Sequence, residues 1–159
     1  MNKLEVIAEP GKQELFLTRT FNAPRDLVFK TWLDPKAIPE WWGPRKDATI
    51  VDQMDVRPGG TWRFISRDAE GNEFGFHGVY HEITPGERIV QTFEFEGWPG
   101  HVALETATFE EVDGKTKFTG QSVFQSVEDR DGMVSSGMEE GAAETMDRLA
   151  EIVEKARVS

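Results

Sequence analysis

The chain contains no cysteine. Disulfides, thiolate metal sites and thiol nucleophiles are therefore excluded, and a fold held by packing alone suits a reducing compartment. Positive charge is also scarce: 18 Lys and Arg stand against 29 Asp and Glu, a net charge of −11 at pH 7. Such a surface repels phosphate backbones and anionic lipid alike, so neither nucleic acid nor a membrane surface is an expected partner. No apolar run approaches the ~20 residues that span a bilayer, so no membrane span is expected. Glu5 and Glu9 interrupt the first residues before a signal-peptide core can form. These absences describe a soluble, cytoplasmic protein whose acidity is a property of its surface.

Chemical signatures are missing as well. No serine stands in a nucleophile elbow, and neither a phosphate loop nor a Gly-x-Gly-x-x-Gly fingerprint occurs, so no cofactor is expected. Only three histidines are present. His77 and His81 are four residues apart on one predicted strand, which separates them by about 13 Å at ~3.3 Å per residue. They cannot share an ion, and His101 sits in a turn-like segment. No metal site is expected.

What is present begins with size. A chain of 159 residues forms one domain, burying about 70% of the surface its unfolded form would expose. Residues 1–12 read as a short frayed lead-in and 13–159 as the single domain. Glu14 to Phe21 alternates apolar and polar residues as a strand does. Asn22-Ala-Pro24 and then Asp34-Pro35 open two short helices, the second ending near Trp41-Trp42-Gly43-Pro44. From there to Phe124 strand signals alternate with turns, the strongest being Asp113-Gly114, which favours a two-residue hairpin. Six strands result, over 47–55, 61–67, 73–84, 87–96, 102–111 and 115–124, with the first strand as a seventh member.

Large side chains share parity within these strands: Trp62 and Phe64; Phe74 and Phe76; Ile89, Phe93 and Phe95; Ala103, Ala107 and Phe109; Phe118 and Phe124. One sheet face is therefore apolar and aromatic. Its partner is the segment from Ser126 to Val158, read as one long helix. At about 100° per residue, Val134, Met138, Gly141, Ala142, Thr145, Met146, Leu149, Ile152, Val153 and Ala156 fall on one arc. The stripe changes size along its length. Gly141, Ala142 and Thr145 have little volume, whereas Met146, Leu149, Ile152 and Val153 have much, so either the backbone approaches closely at the small end or a pocket lies there. The fold class expected is α+β, a curved antiparallel sheet gripping one long C-terminal helix.

A pocket there would be lined by Trp62, Phe64, Phe76, Phe93, Phe95, Met138 and Ala142. The Trp41-Trp42 pair either lids the mouth or caps the core. Glu105 shares the parity of Ala103, Ala107 and Phe109, which would partly desolvate its carboxylate and suit it to acid–base work or to anchoring a ligand. The alternatives for Glu105 are a rim position or an ion pair to an arginine such as Arg63. The acids of Glu128-Asp129-Arg130-Asp131 follow a Ser126 N-cap and are read as helix-start residues, not as a metal loop.

Together, Arg19-Thr-Phe-Asn-Ala-Pro-Arg-Asp-Leu-Val-Phe-Lys-Thr-Trp32, Asp34-Pro35, Trp41-Trp42-Gly43-Pro44, Asp55-Val-Arg-Pro-Gly-Gly-Thr-Trp62, Gly78-Val-Tyr80, Glu105-Thr-Ala-Thr-Phe109 and Gly137-Met-Glu-Glu-Gly141 resemble the START-like (SRPBCC, helix-grip) superfamily. The resemblance is to its bacterial single-domain group, similar to the C-terminal domain of the activator of the 90-kDa heat-shock protein ATPase, and covers nearly the whole chain. It implies a seven-stranded curved sheet around a long C-terminal helix, with an elongated apolar cavity between them. Relatives bind lipids, sterols, hormones or polyketides, some are cyclases, and the eukaryotic namesake is a co-chaperone acting in the stress response. The expected partner is thus a small hydrophobic molecule, the alternatives being a chaperone docked on the surface or a cyclase or hydrolase reaction in the cavity.

Overall fold

After its first long strand the chain leaves the sheet and re-enters at the opposite edge. The computed structural model describes residues 2 to 158, with side chains to Lys155. A short strand β1 (Glu5–Ile7) precedes β2 (Glu14–Phe21), followed by helices α1 (Arg25–Trp32) and α2 (Ile38–Trp41). Then β3 (Ala48–Met54), β4 (Thr61–Arg67), β5 (Glu73–Thr84), β6 (Arg88–Phe95), β7 (Val102–Val112) and β8 (Lys115–Val123) meander back until β8 pairs with β2. The spatial order is β1-β2-β8-β7-β6-β5-β4-β3, antiparallel throughout. Helices α3 (Val127–Ser135) and α4 (Met138–Val158) close the fold.

The α+β helix-grip architecture is as expected, with two departures. The sheet has eight strands instead of seven, because the lead-in is not frayed: Val6 pairs with Leu17 and covers the edge of β2. An uncovered β2 would leave a row of unpaired N–H and C=O groups. The C-terminal segment is also two helices, not one. Gly137 has φ +87°, a left-handed conformation that ends α3 as a glycine readily does. The hydroxyl of Ser136 helps by donating back to the Met133 carbonyl at 2.6 Å. Ser126 caps α3 as read, its Oγ accepting from the Asp129 N–H at 3.0 Å. Ala156, the last member of the expected stripe, lies outside the described side chains, as do Met1 and Ser159 at the ends of the expected boundaries.

The meander follows its turns closely. Asp113 and Gly114 both have positive φ, 53° and 77°, as a tight two-residue hairpin requires, and Val112 faces Lys115 across it. Parity holds across β4, where Trp62 and Phe64 are buried. It drifts on β5, where a register shift between Tyr80 and Glu82 moves the inward set from Phe76 and Tyr80 to Ile83. Phe74 shares the inward parity yet is 41% exposed.

Candidate functional site

The main core is built where the second half of α4 meets the sheet and α1. Met146, Leu149, Ala150 and Val153 are buried and pack in one cluster with Phe21, Val28, Phe109 and Phe118. A smaller cluster, Leu15, Ala103 and Phe124 with Met133, Val134 and Met138, forms under α3 and the start of α4. Members of both border a cavity of about 470 Å³.

Small side chains on α4 leave that space open. Met138, Gly141, Ala142 and Thr145 all line it. A Cβ added at Gly141 would meet nothing within 4 Å, so the glycine does not mark a close approach of helix to sheet. Gly141 is also exposed. On the sheet side the walls are Trp62, Phe64, Phe76 and Phe93, from three consecutive strands.

The roof comes from α2 and the loop after it. Trp41, buried, packs against Trp32 with ring centroids 5.2 Å apart. Trp42 sets its ring edge-on to both Phe64 and Phe76, each at 5.2 Å. Both tryptophans line the cavity; Trp41 belongs to the core and Trp42 closes over the aromatic wall. The loop is held by α4. Arg148 donates to the carbonyls of Gly43 at 2.7 Å and Glu40 at 2.8 Å, while Glu144 accepts the Arg45 backbone N–H and Glu151 pairs with the Arg45 guanidinium.

A row of polar groups crosses the largely apolar floor, which Ser66, Thr106 and Gln121 also border. Tyr80 faces Gln91, Gln91 faces Glu105 and Glu105 faces Ser122 across β5, β6, β7 and β8, and all four line the cavity. Glu105 stands mid-sheet, with the Ser122 hydroxyl as a distant donor at 3.5 Å. Burial pushes its carboxyl up to about 7, since a charged carboxylate is poorly solvated there. Arg63, the arginine considered as its partner, is engaged elsewhere, with Glu96 at 2.8 Å and Asp52 at 3.3 Å. Two further donors in the lining, the indole N–H groups of Trp41 and Trp62, are buried without an acceptor.

Of the residues predicted to line a pocket, Trp41, Trp62, Phe64, Phe76, Phe93, Glu105, Met138 and Ala142 border the cavity. Phe95 does not border it; its ring stacks on Phe76 at 5.1 Å and lies against Gly97. Sequence reasoning missed Tyr80, Gln91 and Ser122. Gln91 and Ser122 occupy inward parity positions, as Glu105 does, whereas Tyr80 stands between Gly78 and Glu82, where a register shift breaks the parity of β5. The histidines occupy separate settings. His77 lies between Glu94 and Glu96, at 3.3 and 2.8 Å, His101 stacks on Trp98 and meets Asp129 at 3.0 Å, and His81 is exposed at the β5 irregularity. Among the described residues no group of three or more His, Cys, Asp or Glu could hold a metal, and no helix is long and apolar enough to cross a membrane.

Known proteins share this architecture. A protein from Chromobacterium violaceum has 27% identity and a TM-score of 0.80, over 89% of this chain and 97% of its own. One from Rhodobacter sphaeroides superposes with a TM-score of 0.88 at 21% identity, over 96% and 99% of the two chains. DynU16, encoded in the dynemicin biosynthetic locus, shares the fold at 18% identity and a TM-score of 0.71, over 92% of this chain and 49% of its own. An uncharacterized protein of Schizosaccharomyces pombe is 35% identical over 98 residues, and that match covers 61% of this chain but only a quarter (25%) of the yeast protein's length. The family model described as activator of Hsp90 ATPase homolog 1-like protein matches residues 22–154, and the chain belongs to that family.

Proposed function

We propose that this protein binds a small apolar or aromatic molecule between the sheet and the first half of α4. The observation that carries this reading is the cavity of about 470 Å³, walled by aromatic rings and left open where α4 carries Gly141, Ala142 and Thr145. That volume lies within the ~300–1,000 Å³ range of small-molecule sites, which are typically apolar with a few placed polar groups. Trp41, Trp62, Phe64, Phe76, Phe93, Met138 and Ala142 would contact the guest, and Glu105 with its row would orient it. A lipophile screen read by melting temperature and native mass spectrometry tests this. A ligand at about 100 times its Kd adds about 2.7 kcal/mol of stability, and Ala142→Phe, which fills the space, should abolish that gain. A screen without a stabilising compound, or one whose hit still binds Ala142→Phe unchanged, rejects the reading.

One observation favours a second, catalytic reading, a cyclase or hydrolase reaction in the same cavity. A carboxyl held at about 7 is poised for proton transfer near neutral pH. Glu105→Gln would then remove turnover while keeping binding, and turnover surviving in that variant excludes Glu105 as the base. Docking to a chaperone rests on the family's description alone, and retention of the chaperone, but of no small compound, on the purified protein would favour it.

A further inference from the structure

Among the described residues, the cavity lining contains one carboxylate and no cationic side chain. From α1 to α4 and from β2 to β8 the remaining lining residues are uncharged, and Tyr80, the other titratable group, is held neutral by burial well beyond physiological pH. Glu105 therefore lacks the partner that a buried charge ordinarily requires, since no Lys, Arg or His lines the space with it. The walls fit the same missing charge. Trp42, Trp62, Phe64, Phe76 and Phe93 border the cavity, and aromatic faces attract cations through their negative quadrupole. Outside, Glu139 and Glu140, next to the cavity-lining Gly141, are exposed, and the net charge of −11 draws cations in preference to anions.

We propose that the ligand of this cavity is an organic ammonium, a positively charged nitrogen on an apolar body, and that Glu105 selects it. The inference rests on the cavity being the ligand site. It assigns the charge of the guest, which the apolar lining alone leaves open.

Three probes with one apolar body and different heads test the assignment: 1-naphthylmethylamine, 1-naphthalenemethanol and 1-naphthoate, titrated into the full-length protein by calorimetry. At about pH 8, Glu105 is ionised and an alkylamine is still protonated, so the amine should bind at least about 10-fold more tightly than the alcohol, with the carboxylate weakest. In Glu105→Gln, a near-isosteric change that leaves the walls intact, amine and alcohol should bind within about 2-fold of each other. The preference should also fall at about pH 5, where a carboxyl raised to about 7 by burial is protonated. Should the alcohol or the carboxylate bind best, or the amine preference survive in Glu105→Gln, the ammonium assignment is overturned while the cavity reading stands. If none of the three binds and the lipophile screen is also silent, both fail together. A preference lost in Glu105→Gln with the alcohol affinity unchanged and no fall in melting temperature supports the assignment against a general loss of structure.

Discussion

The two halves of α4 face the same sheet and do opposite things. From Met146 to Val153 the inward residues are Met146, Leu149, Ala150 and Val153, 7%, 0%, 0% and 0% exposed. From Met138 to Thr145 none is buried, and Met138, Gly141, Ala142 and Thr145 border open space, which reaches Met146 at the junction of the two halves. One continuous helix thus joins a packed anchor to the wall of a cavity. The anchor also serves the cavity, because Arg148 and Glu151 reach back from it to the Trp42 loop that roofs the space. A helix that must leave room at one end needs its rigidity from the other.

The largest expected effect tests that division. Leu149→Ala removes a fully buried side chain and should cost about 3–4 kcal/mol in urea unfolding, whereas Met138→Ala, at the cavity wall, should cost about 1 kcal/mol. Equal losses would mean that both halves are packed alike and that the space near Met138 is closed in solution.

Next comes the pH dependence of the cavity end. The folded-state value of Glu105, about 7, lies above its ordinary 4.5, so between those values the folded protein binds more protons than the unfolded chain. Stability from this group is therefore complete below about pH 4.5 and lost as pH rises through 7, by about 3 kcal/mol. Glu105→Gln should remove that slope, so the difference in unfolding free energy between the two proteins should change across this window. A constant difference from pH 4.5 to 8 would show that the carboxylate is well solvated and is not a cavity group.

The clamp from the anchor to the roof should matter less. Arg148→Ala leaves the carbonyls of Glu40 and Gly43 without their charged donor, for an expected loss of about 1–2 kcal/mol. Amide exchange should quicken chiefly in residues 38–45, on the cavity side of the division. Faster exchange confined to the second half of α4 would make Arg148 a strut of the anchor and not a tie to the roof.

How far these differences could be read in the sequence depended on what sets them. Strand spans were legible almost to the residue, because alternation and turns such as Asp113-Gly114 are local. The size change along α4 was legible for the same reason. The break at Gly137 was not separated from the helix, although Ser135-Ser136-Gly137 is a stop signal, because periodicity counted from Met138 happened to extend back to Val134. The polar row of Tyr80, Gln91, Glu105 and Ser122 was seen only at Glu105. Its other members become neighbours through cross-strand register, and the irregularity between Tyr80 and Glu82 sets that register on β5 without announcing itself in the pattern. Arg19 was missed outright. It occupies an inward position that reads as apolar, and its burial is explained by Asp147 on α4, 2.6 Å away, the Thr20 carbonyl at 3.2 Å and the Phe21 ring beneath its guanidinium.

The smallest effects are the sharpest comparison, because they differ in sign. Gly141 sits inside α4 with nothing near the place a Cβ would take, so Gly141→Ala should stabilise the protein by about 0.5–1 kcal/mol through helix propensity alone. Gly137 is equally free of neighbours but has φ +87°. Gly137→Ala should therefore cost about 1–2 kcal/mol, the penalty of a Cβ in left-handed backbone. Identical substitutions four residues apart would then move the melting temperature in opposite directions. A loss at Gly141 would mean that the helix presses on the sheet there and that its small residues mark close approach, which leaves no room for a guest. A gain at Gly137 would mean that α3 and α4 form one continuous helix in solution, as their periodicity suggests, and the wall of the cavity would then have to be redrawn from Val134 onward.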